Sequence, residues 1–357
     1  MKGTESPHDS ILQEDLEYLA ASCDLSALHN ASVLVSGATG LIGSQVVMLL
    51  AHLNRTRSAN ISVYALVRDA DKAQAMLGGL RGVALITGDV RQMPSIAPDI
   101  HYIIHGASIT ASRAFVEQAV ETIDTAYLGT RAMLELARAK QVKGFVYLSS
   151  MEVFGLTDNR LREVSESDYG YVDILSPRSS YPESKRMCEC LCACYAKEYG
   201  APAKIARLVQ VVGAGASYHD SHVAAQFARS VIEQKDIVLK TEGKTLRPMV
   251  YTRDAVAAVL AVLLKGSSGA AYSVANKHTA ISIRETAEMV AQKIAGGKIK
   301  VTFEINNPYE YALNLNLNLN LNLNLNLVES LGWKAHVGIE EAYRRMVESM
   351  KNRRVAP

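Results

Sequence analysis

The sequence predicts an α/β fold: a doubly wound parallel sheet with a smaller C-terminal domain that binds substrate over it. Three observations carry that expectation. Short apolar runs alternate with helical stretches over residues 31–212, the pattern of parallel strands joined by right-handed crossovers. Runs such as Phe145-Val146-Tyr147-Leu148 are apolar without alternation, as strands covered on both faces are. A glycine-rich turn, Gly37 to Gly43, joins the first run to the first long helix.

The elements follow in order. Residues 1–29 read as an N-terminal helical extension, with Ile11 to Ala21 forming a short amphipathic helix. Strands are expected at Ser32–Ser36, Ile61–Val67, Val83–Thr87, Tyr102–His105, Gly144–Ser149 and Ala203–Val212. Helices are expected at Leu41–Leu53, about Glu117–Lys140, and from near Tyr181. The dinucleotide-type domain is placed at 30–212 and 249–276, and the small domain at 213–248 and 277–350. Within the latter, Leu and Asn alternate strictly from Leu313 to Leu327. One strand of that length would run about 50 Å, and a period of two scatters Leu around a helix. The tract is read as low-complexity chain without chemistry.

At roughly 150 residues per domain, 357 residues make about two domains. Hydrophobic residues are 48% and charged residues 21%, so a full core is available without staples. Lys plus Arg is 38 against 36 for Asp plus Glu, a net of +2, which argues against nucleic-acid or membrane-surface partners. The longest apolar run, Ala255 to Leu264, is far below the ~20 residues of a membrane span. The polar, acidic start lacks a signal core, which implies a cytoplasmic protein. Cys23 stands alone, and Cys188, Cys190, Cys192 and Cys194 alternate on one helix. That spacing suits neither a disulfide framework nor a zinc ribbon; the reading is core packing, with no metal.

The turn Gly37-Ala38-Thr39-Gly40-Leu41-Ile42-Gly43 lies between a strand and a helix. Glycines let backbone approach a pyrophosphate, and the helix start offers free N–H groups to it. Gly37, Thr39, Gly40, Leu41, Ile42 and Gly43 are therefore candidate cofactor ligands. The spacing G-x-x-G-x-x-G resembles the extended short-chain dehydrogenase/reductases, the NAD-dependent epimerase/dehydratase family of nucleotide-sugar enzymes, with a Rossmann-type fold. Gly88-Asp89-Val90, His105-Gly106-Ala107-Ser108 and Gly129-Thr130 resemble later motifs of that family in the right order. The resemblance makes Asp89, Val90 and Ala107 cofactor contacts and Ser108 a substrate contact. NAD-binding members usually end the second strand on Asp; here Val67 is followed by Arg68. Arg68 faces a 2′-phosphate, stacks on adenine, or is solvated. NAD is preferred on the resemblance, with NADP as the alternative.

Tyr181-Pro182-Glu183-Ser184-Lys185 sets a tyrosine and a lysine four residues apart, on one face of a helix. A phenol has an ordinary pKa of about 10, and lowering it by about three units takes roughly 4 kcal/mol. Lys185 and a positive nicotinamide ring are expected to provide this, so that Tyr181 takes a hydroxyl proton as hydride leaves. Tyr181 and Lys185 thus count as both catalytic and cofactor-binding. Ser149-Ser150-Met151-Glu152-Val153-Phe154-Gly155 resembles the family's S-S-x-x-V-Y-G segment. This makes Ser150 a hydrogen-bond donor to the reacting oxygen and Glu152 a base at carbon 5. Sugar-nucleotide 4,6-dehydratases carry an acid where Met151 stands, and UDP-glucuronate decarboxylases resemble this chain more.

Arg247 resembles the family's phosphate-gripping arginine, and Gln210 replaces its usual amide Asn. His222 stands where decarboxylases show an arginine near the sugar carboxylate. Arg247, Gln210 and His222 are therefore substrate candidates. The loop Glu163 to Arg178 either closes over the sugar or is a plain excursion. The resemblance implies a homodimer and a nucleotide-sugar substrate processed through a transient 4-ketone. Decarboxylase or epimerase chemistry is expected over dehydration. The rivals are an NADP-dependent carbonyl reductase and a non-catalytic cofactor-binding scaffold.

Overall fold

The computed structural model describes residues 5–6, 8–158, 160–305 and 322–355. Five central runs form the strands β1 (Ser32–Ser36), β2 (Ser62–Val67), β3 (Val83–Thr87), β4 (Tyr102–His105) and β5 (Gly144–Ser150). With β6 (Ala203–Leu208) and β10 (Ala271–Val274) they make a seven-stranded sheet, ordered β10-β6-β5-β4-β1-β2-β3. Every pairing in it is parallel. All positions of β1 and β4 are buried, as a sheet covered on both faces requires. The strand order reverses at β1, so a crevice opens beyond the carboxyl ends of β1 and β4, where open α/β sheets bind ligands.

Two helical layers enclose the sheet. On one side lie α1 (Ser10–Ser22), α2 (Leu41–Arg57) and α8 (Thr252–Lys265), whose Leu16, Val47 and Val259 share one core cluster. On the other, α5 (Ala119–Ala139) and α6 (Ser180–Tyr199) contribute Ala126, Met133, Cys188 and Cys192 to a second cluster. The cysteine helix is only half core: Cys190 and Cys194 are exposed. The shorter α3 (Ala70–Leu77) follows β2, and α4 (Ala114–Glu117) precedes α5. The expected helix over Glu117–Lys140 starts later because Gln118, at φ −132°, breaks α4 from α5. Among the described residues no helix is long and apolar enough to cross a membrane.

The remaining strands are β7 (Gln210–Val212), β8 (Ile237–Leu239), β9 (Leu246–Tyr251), β11 (Asn276–Ser282) and β12 (Val301–Phe303). They form a three-stranded sheet, β11-β9-β7, and a parallel pair, β12-β8. The single strand expected over Ala203–Val212 is thus two. Leu208 pairs with Ser150 in the large sheet, whereas Gln210 pairs with Met249 in the small one. The turn between them carries residue 210 into the crevice. The helices here are α7 (Val223–Glu233), α9 (Ile283–Met289), α10 (Asn326–Ser330) and α11 (Ile339–Val355). Asp254 lies in the first turn of α8, and its carboxylate accepts the N–H groups of His336 and Val337 at 2.7 and 2.9 Å.

Residues 313–321 of the Leu-Asn tract lie outside the described residues. Its last part packs against the body. Leu323 and Leu325 are buried, and residues 322 and 324 bracket Val164 with backbone hydrogen bonds of 2.7 and 2.9 Å. There the two-residue alternation works as in a strand, with one Leu face turned inward.

The N-terminal helix is built into the body. Asp15 is fully buried, accepting from the Tyr251 hydroxyl at 2.5 Å and from Arg345 at 3.0 Å, with Arg253 at 3.4 Å. Burial pushes its carboxyl up to about 6, against those partners. The acid therefore binds a proton more tightly folded than unfolded, so its contribution to stability fades as pH rises through about 6. Asp15→Ala removes the fully buried partner of Arg345 and Arg253, leaving Arg345 the exposed Glu14 at 3.2 Å and Arg253 the buried Asp254 at 3.7 Å. The expected loss is about 2 kcal/mol, checked by urea unfolding at neutral pH.

Candidate active site

The crevice is a cleft of about 660 Å³, within the range of small-molecule sites. Its wall begins at the glycine turn after β1, where φ of Gly37 is +69°. A Cβ on Gly37 would lie 2.7 Å from the Gly106 carbonyl carbon, and one on Gly43 only 2.2 Å from the Gly37 oxygen. The turn is thus pressed against the loop after β4. Gly40 is the N-cap of α2 and no side chain caps it, so the first N–H groups of the helix face the cleft without helical acceptors. Bare N–H groups at a helix start and backbone without side chains fit a pyrophosphate. Thr39, Leu41, Ile42, Arg68, Val90, Ala107 and Ser108 also line the cleft.

At the far end stand Ser150, Tyr181 and Lys185. Ser150 ends β5, and Tyr181 and Lys185 lie one turn apart on α6, which packs beside it. Lys185 is buried and donates to the Leu148 carbonyl at 2.8 Å, with its nitrogen 4.7 Å from the Tyr147 ring centre and 5.6 Å from that of Tyr181. Burial pulls its ammonium down to about 8. Burial and the Glu152 carboxylate hold the Tyr181 phenol above its ordinary range, while the Ser150 hydroxyl and Arg178 pull it down. The expectation paired Lys185 with a positive nicotinamide ring; in the protein alone burial leaves the phenol above its ordinary range. Lys185 gives one N–H to the Leu148 carbonyl and keeps its nitrogen over the Tyr181 ring, while Arg178 is a cation that pulls the phenol down.

Sequence reasoning passed over Arg178, the end of a loop. Its guanidinium is 7% exposed and Nη2 donates to both Glu152 oxygens, at 2.9 and 2.8 Å. It lies 4.8 Å over the Phe115 ring, which stacks on Tyr181 at 4.2 Å and 11°. Its Nε and Nη1 have no hydrogen-bond partner, nor has Nε of the largely buried Arg247. Arg247 feels both the Glu152 charge and that of Arg178. Arg178 thus holds the Glu152 carboxylate, with the charge of Arg247 close by. The available signal was the spacing: Arg178 precedes Tyr181 by three residues, one helical turn. Glu152 and Arg247 are not among the residues lining the cleft, and Met151 is buried in core, 6% exposed. A thioether there donates no proton.

The other candidates fall in distinct places. Gln210 lines the cleft with its buried Oε1 unpartnered. His222 lines it too, with Nδ1 2.5 Å from Asp220 and Nε2 3.2 Å from the Thr110 carbonyl. Both ring nitrogens face acceptors, which suits the imidazolium with its two N–H donors. The Asp220 hydrogen bond raises its pKa accordingly. Asp89 points elsewhere: its carboxylate is held by Arg91 at 2.7 Å, leaving Gly88 and Val90 on the cleft. The long loop is pinned from the body by Arg186, donating to the Gly170 carbonyl at 2.8 Å, and by Arg207, donating to that of Glu166 at 2.7 Å. Among the described residues no cluster of His, Cys, Asp or Glu suits a metal ion. Arg178→Met unpairs Glu152 and should cost about 2 kcal/mol. That is less than for a sealed ion pair, because Glu152 is partly exposed and Arg247 is close. A double-mutant cycle with Glu152→Gln, read by urea unfolding, should return a coupling above about 1 kcal/mol.

Comparison with known proteins places this geometry. A UDP-glucuronic acid decarboxylase of Arabidopsis thaliana is 26% identical over 327 residues, covering 91% of this chain and 90% of that protein. Among solved structures, a UDP-glucose 4-epimerase from Thermotoga maritima, with UDP-glucose, superposes with a TM-score of 0.74 at 18% identity. It covers 90% of this chain and 99% of its own. A dTDP-glucose 4,6-dehydratase from Bacillus anthracis in complex with NAD gives 0.69 at 16%, covering 90% and 96%. Those two likenesses are of fold. The family model "NAD dependent epimerase/dehydratase family" matches residues 33–276. With the glycine turn, the parallel sheet and the Tyr181–Lys185 helix in place, the chain belongs to that family of enzymes.

Proposed function

We propose that the protein acts on a nucleotide-activated sugar through a transient ketone at carbon 4, with decarboxylation of a UDP-uronate or a related epimerisation favoured over 4,6-dehydration. One observation supports this most: Glu152 stands behind Tyr181 as a carboxylate held by Arg178, while the buried Met151 occupies the position where dehydration needs an acid. Gly37, Thr39, Gly40, Leu41, Ile42 and Gly43 would hold a nicotinamide dinucleotide, NAD in the family's name, with Val90 and Ala107 around its adenosine. When bound, it supplies the hydride acceptor and, when oxidised, a positive ring.

The chain's residues divide the remaining work. Tyr181 takes the proton of the carbon-4 hydroxyl, and Ser150 hydrogen-bonds the same oxygen. The ketone so formed makes a carbon-5 carboxylate a β-keto acid and makes a carbon-5 hydrogen acidic. Glu152 serves proton transfer at carbon 5, oriented by Arg178. Arg247, with its unfilled Nε, suits a phosphate of the nucleotide. Gln210 and Ser108 face the sugar from the cleft wall. His222 stands in for an arginine as a pH-dependent cation toward the sugar acid. We further propose a homodimer through α5 and α6, which expose Val120, Ile123 and Met187, working in the cytoplasm.

The test is incubation with a panel of UDP- and dTDP-sugars, with products identified by mass spectrometry. Loss of carbon dioxide from a UDP-uronate, or deuterium uptake at carbon 5 in heavy water, is the expected result. Steady consumption of NADPH on a non-nucleotide carbonyl would instead establish the reductase. Tyr181→Phe should cut turnover by about 10²-fold or more while the dinucleotide still binds, measured by calorimetry beside the assay. For an acidic sugar, KM should rise as pH climbs through the raised pKa of His222, where its charge is lost. His222→Arg should flatten that dependence.

A further inference from the structure

The adenosine end of the cleft has a charge pattern that the family's name does not account for. In dinucleotide-binding folds an acidic side chain about 20 residues after the glycine turn accepts the ribose 2′-hydroxyl, or an arginine nearby meets a 2′-phosphate. Here the pairing of Ser36 with Leu66 sets the residues after β2 level with the glycine turn after β1. Val67, the last residue of β2, is buried. The next carboxylate, Asp69, is the N-cap of α3 and accepts the Lys72 N–H at 2.9 Å. Asp89 across the crevice is held by Arg91. Asp220, at the sugar end, is held by His222. Among the described residues that line the cleft, Asp220 is thus engaged by His222 and Asp69 commits one oxygen to the N-cap.

Cations stand there instead. Arg68 and Lys72 both line the cleft with Gly37 and Thr39, both are exposed, and neither has a side-chain hydrogen bond or ion pair among the described residues. The acid whose charge Arg68 does feel, Asp89, is already compensated by Arg91. The exposed Asp71 in the first turn of α3 is not on the cleft wall. A planar guanidinium and a mobile ammonium on one lip form a pair suited to a phosphate monoester, which carries close to two negative charges at neutral pH.

We propose that Arg68 and Lys72 form a 2′-phosphate subsite, so that the dinucleotide this chain selects is NADP. The inference rests on reading the cleft as a dinucleotide site but is independent of which sugar is processed. The cofactor of a closed oxidation and return cycle is not consumed, so a 2′-phosphate is compatible with the proposed chemistry.

The test is calorimetric titration of the purified full chain with NADP and with NAD, after any copurified nucleotide has been released and identified. Adenosine 2′,5′-bisphosphate and ADP serve as shorter probes. NADP should bind at least tenfold more tightly than NAD. Arg68→Ala and Lys72→Ala should each weaken NADP severalfold or more and leave NAD within about twofold, with Arg68→Lys recovering part of the loss. Both positions are on the surface, and a circular-dichroism melt matching the unsubstituted chain confirms folding. NAD binding as tightly as NADP, or NADP affinity unmoved by both substitutions, overturns the subsite. Binding of neither dinucleotide overturns the cleft assignment and the subsite with it. Tight NADP binding with no sugar turned over keeps the subsite and removes the sugar reading.

Discussion

The architecture depends on how closely the turn after β1 approaches the loop after β4. Gly37 packs against the Gly106 backbone, and Gly43 packs against Gly37. No side chain larger than hydrogen fits at either contact without moving main chain. This pins the start of α2 to the carboxyl end of the sheet and leaves its N–H groups facing outward. The reversal of strand order at β1 opens the crevice at that place. A fold-level feature, the switch in strand order, and an atomic one, the missing Cβ, thus specify the same site.

Electrostatics then divides the cleft into two ends. At the reactive end the charges are buried and few. Lys185 is held by a carbonyl and an aromatic face, and Arg178 grips Glu152 while Arg247 waits with an unfilled donor. Burial raises the cost of every uncompensated charge, so this end is poised for an anionic, hydrogen-bonding ligand that completes the set. The phenol itself is held in its protonated form by burial and by Glu152. Its acidity at work is therefore a property of the assembled complex. Beside the glycine turn the cations Arg68 and Lys72 are exposed on the cleft lip.

The C-terminal segments tie both ends to the body. Asp254 inside α8 holds the backbone at His336 and Val337, and the Trp333 indole donates to the Asp254 carbonyl at 2.9 Å. Asp15 joins α1 to Tyr251 at the end of β9 and to Arg345 on α11. A single carboxylate in each case bridges elements distant in sequence. Each satisfies donors that burial would otherwise leave unmet.

The sequence alone determined the sheet, the glycine turn and the Tyr181–Lys185 pair, because each is a local pattern. Strand runs, a tight turn and an i, i+4 spacing are set by backbone geometry within a few residues. It also pointed to Ser150, whose place at a strand end beside α6 follows from the parallel order. What only the tertiary structure decided was partnership. Arg178 meets Glu152 across 26 residues. Lys185 finds the Leu148 carbonyl across 37 residues. The break at Val209 sends Gln210 to a second sheet, and Leu323 and Leu325 of the repetitive tract find a core. In each case the deciding energy is desolvation of a charge or an apolar face by residues far away in sequence. Spacing within the chain does not encode those neighbours.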